Sequence, residues 1–254
     1  MSENVDAAAQ FEQVSTAQPE APTLIEGLPG HGLVAAIAVD TITTQLDLQL
    51  YGNIASSDFP PVVTFEEGLV HDLVRVYAGT NPSVLTLASD LALPQDSFQP
   101  LARCVLEELA EDFHRAIFLA GAPAQSDEQV GEVLGVATDE TVREELVAAG
   151  ISVHQDPGLV GGVTGSLVRE CYQAEVPVAL LVVRSHPFLP DPSAAKAVIE
   201  TALEPLVDFD IDTTHLDEQA EEIQQRLQQI AEQYRHMTQE HMEDHRQPAT
   251  GMFQ

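Results

Sequence analysis

The chain has 254 residues and 44% of them are hydrophobic, so it can bury a sizeable core and does not have the composition of a disordered polymer. Its 41 acidic residues against 10 basic ones give a formal net charge of -31, which disfavours direct binding to nucleic-acid phosphates. The acids are dispersed and Lys196 is the only lysine, a pattern that favours adaptation to high salt over a local anionic surface for basic partners.

The first segment, residues 1–21, is polar and acidic, and it predicts a disordered leader without the features of a signal peptide. The longest apolar runs, such as residues 176–183, are too short to span a bilayer. Cys104 and Cys171 have neither metal-ligand spacing nor the pattern of a disulfide framework. We therefore expect a cytoplasmic protein that does not enter a membrane.

Short β-branched runs alternate with helical periods between residues 22 and 212. Strand signals occur at 23–27, 49–55, 61–65, 72–78, 83–88, 116–121, 131–138, 151–153 and 176–183. Helix signals occur at 30–46, 96–114, 139–150, 164–175 and 192–207. This alternation predicts one α/β domain with a mixed, mostly buried sheet flanked by helices.

A glycine-rich stretch, GLPGHGL at residues 27–33, joins the first strand to the first helix. Backbone N–H groups at such a turn can bind an anion, so Gly27, Gly30, His31 and Gly32 form a candidate anion loop. The spacing is neither a Walker loop nor the dinucleotide fingerprint, and these residues can instead serve turn geometry and packing. A second stretch at residues 158–167 opens a later helix and could face the first across the sheet edge.

Catalytic motifs are absent from the sequence. It contains no G-x-S-x-G elbow and no H-E-x-x-H, and Ser166, His154 and His186 are triad candidates that the sequence cannot bring together. His241 and His245 stand one helical turn apart, but no third metal ligand is evident. We therefore predict no catalytic residues, no metal and no cofactor.

Residues 213–245 carry a heptad repeat that predicts a long helix. Its apolar positions are spaced 4, 3, 4, 3, 4, 3 and 4 residues apart, at Leu216, Ala220, Ile223, Leu227, Ile230, Tyr234, Met237 and His241. A helix laid on its own domain would need a wider apolar stripe, so the pattern favours a coiled-coil seam between copies. Leu at position a with Ile at position d favours a tetramer.

The last segment, residues 246–254, contains Pro248 and Gly251 and predicts a flexible tether. It ends in Met252, Phe253 and Gln254, which present a pliable apolar side chain, a rigid ring and a carboxylate in fixed order. This arrangement indicates a docking peptide, although an accidental apolar end is the alternative.

Three stretches in this order resemble a known family. GLPGHGLVAAIAVD, GGVTGSLVREC, and PDPSAAKAVIETAL followed by DTTHLDEQAEEI are similar to the proteasome assembly chaperone type-2 family, in its archaeal and haloarchaeal branch. The resemblance covers roughly residues 23 to 230 and implies a phosphorylase/hydrolase-like fold without established catalysis. The family typically has Val or a similar residue where His31 stands.

The resemblance also implies a partner and a docking mode. Archaeal relatives bind the α-ring of the proteasome core particle through a C-terminal hydrophobic-Tyr-any tripeptide, which enters pockets between α subunits. Met252, Phe253 and Gln254 match these positions with Phe in place of Tyr. We therefore expect an oligomeric assembly chaperone or activator-like protein. The alternative is a phosphate- or nucleoside-type ligand binder, or an enzyme, that uses the GLPGHG loop.

Overall fold

The computed structural model describes residues 9–226 except positions 18, 67, 111 and 188. Its strands are β1 (Gln10–Gln13), β2 (Thr23–Gly27), β3 (Gln49–Ala55), β4 (Thr64–Glu66), β5 (Leu69–His71), β6 (Val74–Thr80), β7 (Ser83–Ser89), β8 (Arg115–Pro123), β9 (Val133–Ala137), β10 (Ser152–Val153) and β11 (Val178–Ser185). Its helices are α1 (Val34–Gln45), α2 (Phe98–Glu108), α3 (Glu140–Ala148), α4 (Gly162–Gln173), α5 (Pro192–Val198), α6 (Glu204–Val207) and α7 (residues 214–226). A π-helical turn, Ile199–Leu203, joins α5 to α6.

Within the described residues, nine strands form one sheet in the order β1-β3-β6-β7-β2-β8-β11-β9-β10. The four central strands, β7, β2, β8 and β11, are parallel. The pairs β1-β3, β3-β6 and β6-β7 are antiparallel, and so is the pair β11-β9. Strands β4 and β5 form a separate antiparallel hairpin.

Helices cover both faces of the sheet, and each face has its own apolar core. One core contains Leu101 of α2 and Leu167 of α4. The other contains Val39 of α1, Leu146 of α3 and Val198 of α5. Because the central strands are buried on both faces, they read as continuous apolar runs rather than as alternating ones. The predicted mixed α/β sheet flanked by helices is confirmed.

The prediction of a disordered leader at residues 1–21 is wrong for Gln10–Gln13, which form β1. β1 pairs with β3 at the edge of the sheet. The Phe11 ring lies over Gly52, where a Cβ atom would come within 2.3 Å of it, and the Phe11 N–H donates to Glu108 Oε2 at 2.8 Å. The segment has one large apolar side chain among polar ones, so its sequence carries no strand signal.

Helix α7 begins at residue 214 and is attached to the domain. Leu216 is fully buried in the core that α1 and α5 also line. Lys196 Nζ lies 2.6 Å from Asp217 Oδ2, and Thr41 Oγ1 lies 3.4 Å from His215 Nε2. Among the helices of the described part of the chain, none is long and apolar enough to cross a bilayer.

Candidate functional site

The carboxyl ends of the four parallel strands meet at one edge of the sheet. β2 leads to α1 on one face, whereas its neighbour β7 leads to α2 on the other face. Adjacent parallel strands whose connections leave toward opposite faces open a crevice, and α/β proteins commonly bind ligands there. The GLPGHGL stretch follows β2 directly, so it borders this crevice.

Two of the predicted loop glycines permit close packing. A Cβ atom at Gly27 would lie 2.3 Å from the Val39 Cβ of α1. Gly32 has a φ of +63°, and a Cβ atom there would lie 2.5 Å from Ser185 Oγ. These distances fit the packing interpretation for both positions. Gly30 is different, because a Cβ atom there would meet nothing within 4 Å.

The two glycine-rich stretches line the same pocket of about 380 Å³. Gly30 and His31 lie on one side, and Gly161 and Thr164 lie on the other. Between them runs the end of β8, where a Cβ atom at Gly121 would lie 2.2 Å from the His31 carbonyl oxygen. The two glycine-rich stretches therefore lie side by side, as the sequence suggested. Gly121 permits this, because a side chain at that position would collide with His31.

Glu26, the residue before Gly27, is fully buried and was not identified from the sequence. Its Oε1 accepts the Leu28 N–H at 3.1 Å, and its Oε2 accepts the Leu119 N–H at 3.3 Å. The Thr164 hydroxyl lies 3.3 Å from Oε1. Burial raises the pKa of Glu26 to about 8, although these hydrogen bonds act in the opposite direction. The sequence signal that could have identified Glu26 is that it is the only acid in strand β2.

This carboxyl group links the two glycine-rich stretches and also limits what their pocket can bind. The Leu28 N–H, which an external anion at the loop could use, donates to Glu26 instead. Two buried atoms nearby, His31 Nε2 and Ser185 Oγ, have no hydrogen-bond partner among the described residues. Both atoms are buried and Ser185 does not line the pocket, so the firm conclusion for this pocket is that the Leu28 N–H is not free to bind an anion.

Two of the three triad candidates, Ser166 and His154, have side chains that contact backbone carbonyl groups. Ser166 Oγ donates to the Gly162 carbonyl at 3.2 Å on α4. His154 Nδ1 lies 3.0 Å from the Asp156 carbonyl oxygen after β10. His186 follows β11, and its backbone N–H donates to Asp191 Oδ2 at 2.7 Å.

The predicted seam is described only at its beginning. Leu216 belongs to the protein's own core, because the start of α7 lies directly against the domain. Ala220 and Ile223 are partly buried and line a groove of about 230 Å³ beside Pro190 and Pro192. The rest of the seam (Leu227, Ile230, Tyr234, Met237, His241) and the docking tripeptide (Met252, Phe253, Gln254) lie outside the described residues.

Comparison with known proteins places this architecture among relatives. The model of the PAC2 family matches residues 24–231. The uncharacterized protein MJ0106 of Methanocaldococcus jannaschii is 27% identical over 226 residues, which cover 89% of this chain and 92% of that protein.

Two solved structures from Pyrococcus furiosus are similar over most of the chain. The crystal structure of PbaA, an archaeal homologue of proteasome-assembly chaperone, matches with a TM-score of 0.80 and 26% identity, covering 92% of this chain and 97% of PbaA. That of PbaB, an archaeal proteasome activator, matches with a TM-score of 0.80 and 21% identity, covering 89% of this chain and 99% of PbaB. At this identity, the likeness to PbaB concerns the fold.

Proposed function

The chain belongs to the PAC2 family, and from that premise we propose that it serves the proteasome as an assembly chaperone or activator-like protein. The observation that carries this proposal is the similarity to PbaA, which extends over 92% of the chain. Ser166 Oγ and His154 Nδ1 each contact a backbone carbonyl group in their own segment, and the proposal assigns the protein a binding role.

Docking occurs through Met252, Phe253 and Gln254 on α subunits of the core particle. The Met side chain adapts to an apolar pocket, the Phe ring fills a second one, and the terminal carboxylate pairs with a lysine. Because Phe253 lacks a hydroxyl group, one hydrogen bond worth about 1 kcal/mol is missing relative to a tyrosine. Several copies in one oligomer would compensate, since linked weak contacts raise avidity by about 10² to 10⁴.

The anchored start of α7 supports this role. Leu216 is buried, and Asp217 is paired with Lys196 of α5, so the helix that leads toward the tripeptide leaves the domain from a fixed point. A fixed start favours simultaneous engagement by neighbouring copies, because it narrows the volume that each tethered tripeptide can search.

A pull-down with purified archaeal proteasome core particle tests the docking. Deletion of the last three residues and Phe253→Ala should each lower capture at least ~10-fold, because hot-spot side chains dominate such contacts. Phe253→Tyr should raise capture about 5-fold, the equivalent of the missing hydrogen bond. Val147→Ala, at an exposed apolar position on α3, is the matched control and should bind normally. Equal capture of all five proteins would end the docking proposal.

A second candidate, a small-ligand binder, is favoured by the 380 Å³ pocket between the glycine-rich stretches. Gly30 offers a clean probe, because a Cβ atom there would meet nothing within 4 Å and the φ of Gly30, -139°, is open to any residue. If a phosphate ester or nucleoside such as AMP or adenosine raises the melting temperature, Gly30→Leu should abolish the rise by filling the pocket, whereas Gly30→Ala should retain it. No rise with either compound in the unaltered protein would remove this candidate.

A further inference from the structure

The β4–β5 hairpin and the two residues before it present an apolar surface that no described residue of the chain covers. Its five apolar side chains are Val62, Val63, Phe65, Leu69 and Val70, which are 45%, 68%, 78%, 67% and 69% exposed. Phe65 is paired directly with Val70, and Leu69 is paired with Glu66. Clustered exposed apolar side chains of this kind mark interaction sites, because water solvates them poorly. We call these five residues the hairpin patch.

The hairpin is attached rigidly at its base. The Thr64 hydroxyl donates to the His71 carbonyl at 3.2 Å across the two strands, and it accepts from Arg75 of β6 at 3.2 Å. Arg75 is itself paired with Asp90 through two hydrogen bonds of 2.8 Å. The hairpin patch is therefore held outward in a defined geometry.

A concave apolar surface lies elsewhere on the molecule. A groove of about 570 Å³ runs between α4 and the strands β11 and β9. Leu159, Tyr172 and Val136 line it and are 96%, 63% and 38% exposed. We call this surface the α4 groove. Its size and its apolar lining suit a pair of inserted side chains.

The α4 groove carries basic groups, which are scarce in this acidic chain. Arg169 and Arg184 line it together with His154, and one acid, Asp156, lies among them. Neither arginine forms an ion pair among the described residues, in contrast to Arg75, Arg115, Arg143, Lys196 and Arg226. Unpaired arginines beside an apolar surface favour an apolar partner with acidic flanks.

The hairpin patch has such flanks. Glu66 lies within the hairpin, Asp58 precedes it and Asp72 follows it, and all three are exposed. The two surfaces suit each other, because the α4 groove is concave and the side chains of the hairpin patch are exposed enough to enter it. They also match in apolar character and in charge.

The two surfaces cannot meet within one molecule. The hairpin connects β3 to β6, whereas the α4 groove adjoins β11, four strand positions further along the sheet. At about 4.8 Å per strand this separation is on the order of 20 Å. Contact between them therefore requires two copies. We propose that the hairpin patch of one copy docks into the α4 groove of the next, head to tail. Such a heterologous contact closes into a ring or extends into a filament.

Complementary variants test this interface in the full-length protein. Phe65→Asp disables the hairpin patch and Tyr172→Asp disables the α4 groove, and both positions are exposed enough that the fold should not change. Each variant alone should sediment with a lower mass than the unaltered protein. An equimolar mixture should regain a two-chain species, because one intact hairpin patch then meets one intact α4 groove. Val147→Asp, on an exposed site of α3, should keep the original mass.

Charge exchange gives an independent readout. Arg169→Glu should weaken self-association at least ~10-fold, and adding Glu66→Arg should recover most of that loss. A single-chain mass for the unaltered protein would overturn the proposal, and so would unchanged mass in either single variant or failure of the mixture to pair. None of these measurements involves the proteasome, so their outcome is separate from the docking of the C-terminal tripeptide.

Discussion

The Glu26 carboxyl group has a strongly raised pKa because it is fully buried. Its pKa rises from 4.5 to about 8, because burial removes the water that would solvate the anion. The folded protein therefore binds a proton at this site between these two pH values, while the unfolded chain does not. Stability from this group is fully present below pH 4.5 and is lost as the pH rises toward 8.

Glu26→Gln removes this titration and retains the size of the side chain. We expect the unfolding free energy of the unaltered protein to fall relative to that of the variant between pH 4.5 and about 8. The fall should not exceed ~1.4 kcal/mol per pH unit, and the difference should be constant at higher pH. Urea titrations at a series of pH values measure it, and the other acids cancel because both proteins contain them. Parallel stability curves would show that Glu26 does not titrate in this range.

The hydrogen-bond partners of Glu26 could not be predicted from the sequence. Its partners Leu119 and Thr164 lie 93 and 138 residues away along the chain. Strand patterns report which side chains are buried, but they do not report which distant N–H or hydroxyl groups will solvate a buried acid. Gly30 and His31, which line the pocket, could be singled out because their glycine-rich signal is local.

Helices α3 and α5 each begin with a capping aspartate, and the surroundings of the two aspartates differ. Asp139 is exposed, and its Oδ1 accepts the Val142 N–H of α3 at 3.0 Å. Asp191 is 6% exposed, and its two oxygens accept the Ala194 N–H of α5 at 3.0 Å and the His186 N–H at 2.7 Å. The second aspartate therefore fixes the connection after β11 as well as the start of a helix.

The cost of losing each cap should reflect this difference. Asp139→Ala should lower the unfolding free energy by about 1 kcal/mol, the usual value for an exposed cap. Asp191→Ala should lower it by about 2–3 kcal/mol, because two N–H groups in a buried setting lose their acceptor. Chemical denaturation measures the loss of unfolding free energy in both variants. The loss for Asp191→Asn should lie between those for Asp139→Ala and Asp191→Ala. Equal losses at the two positions would mean that the His186 contact contributes nothing.

Helices and strands could be predicted where their sequence signals lie close together along the chain. Helix α3 has its capping aspartate, amphipathic period and terminal glycine within twelve residues, and it forms at Glu140–Ala148. Strand β1 was missed because the groups that hold it are distant in sequence: it pairs with β3, Phe11 packs on Gly52, and the Phe11 N–H donates to Glu108. Leu216 fits a heptad repeat equally well whether a second copy or its own domain covers it, so the sequence could not assign its burial.

The whole molecule carries a net charge of -31, and this charge opposes compaction. Ion pairs offset little of it, because the chain has 10 basic residues for 41 acidic ones and exposed pairs contribute about 0–1 kcal/mol each. Added salt weakens both the repulsion and the ion pairs. Since like-charge pairs outnumber opposite ones, the relief of repulsion should prevail.

We therefore expect the melting temperature to rise with KCl concentration. The Debye length falls from about 30 Å at 0.01 M to about 3 Å at 1 M. At 1 M salt, the repulsion between carboxylates that are further apart than this is therefore largely screened. A gain of a few kcal/mol corresponds to at least about 5 °C for a domain of this size. Sucrose at matched osmolality separates screening from the general exclusion of solutes, since it should raise the melting temperature less. The salt effect should also shrink as the pH approaches 4, where the carboxylates take up protons and the repulsion disappears. A melting temperature that is the same in low and high KCl at neutral pH would instead show that the acids are far enough apart to be solvated independently.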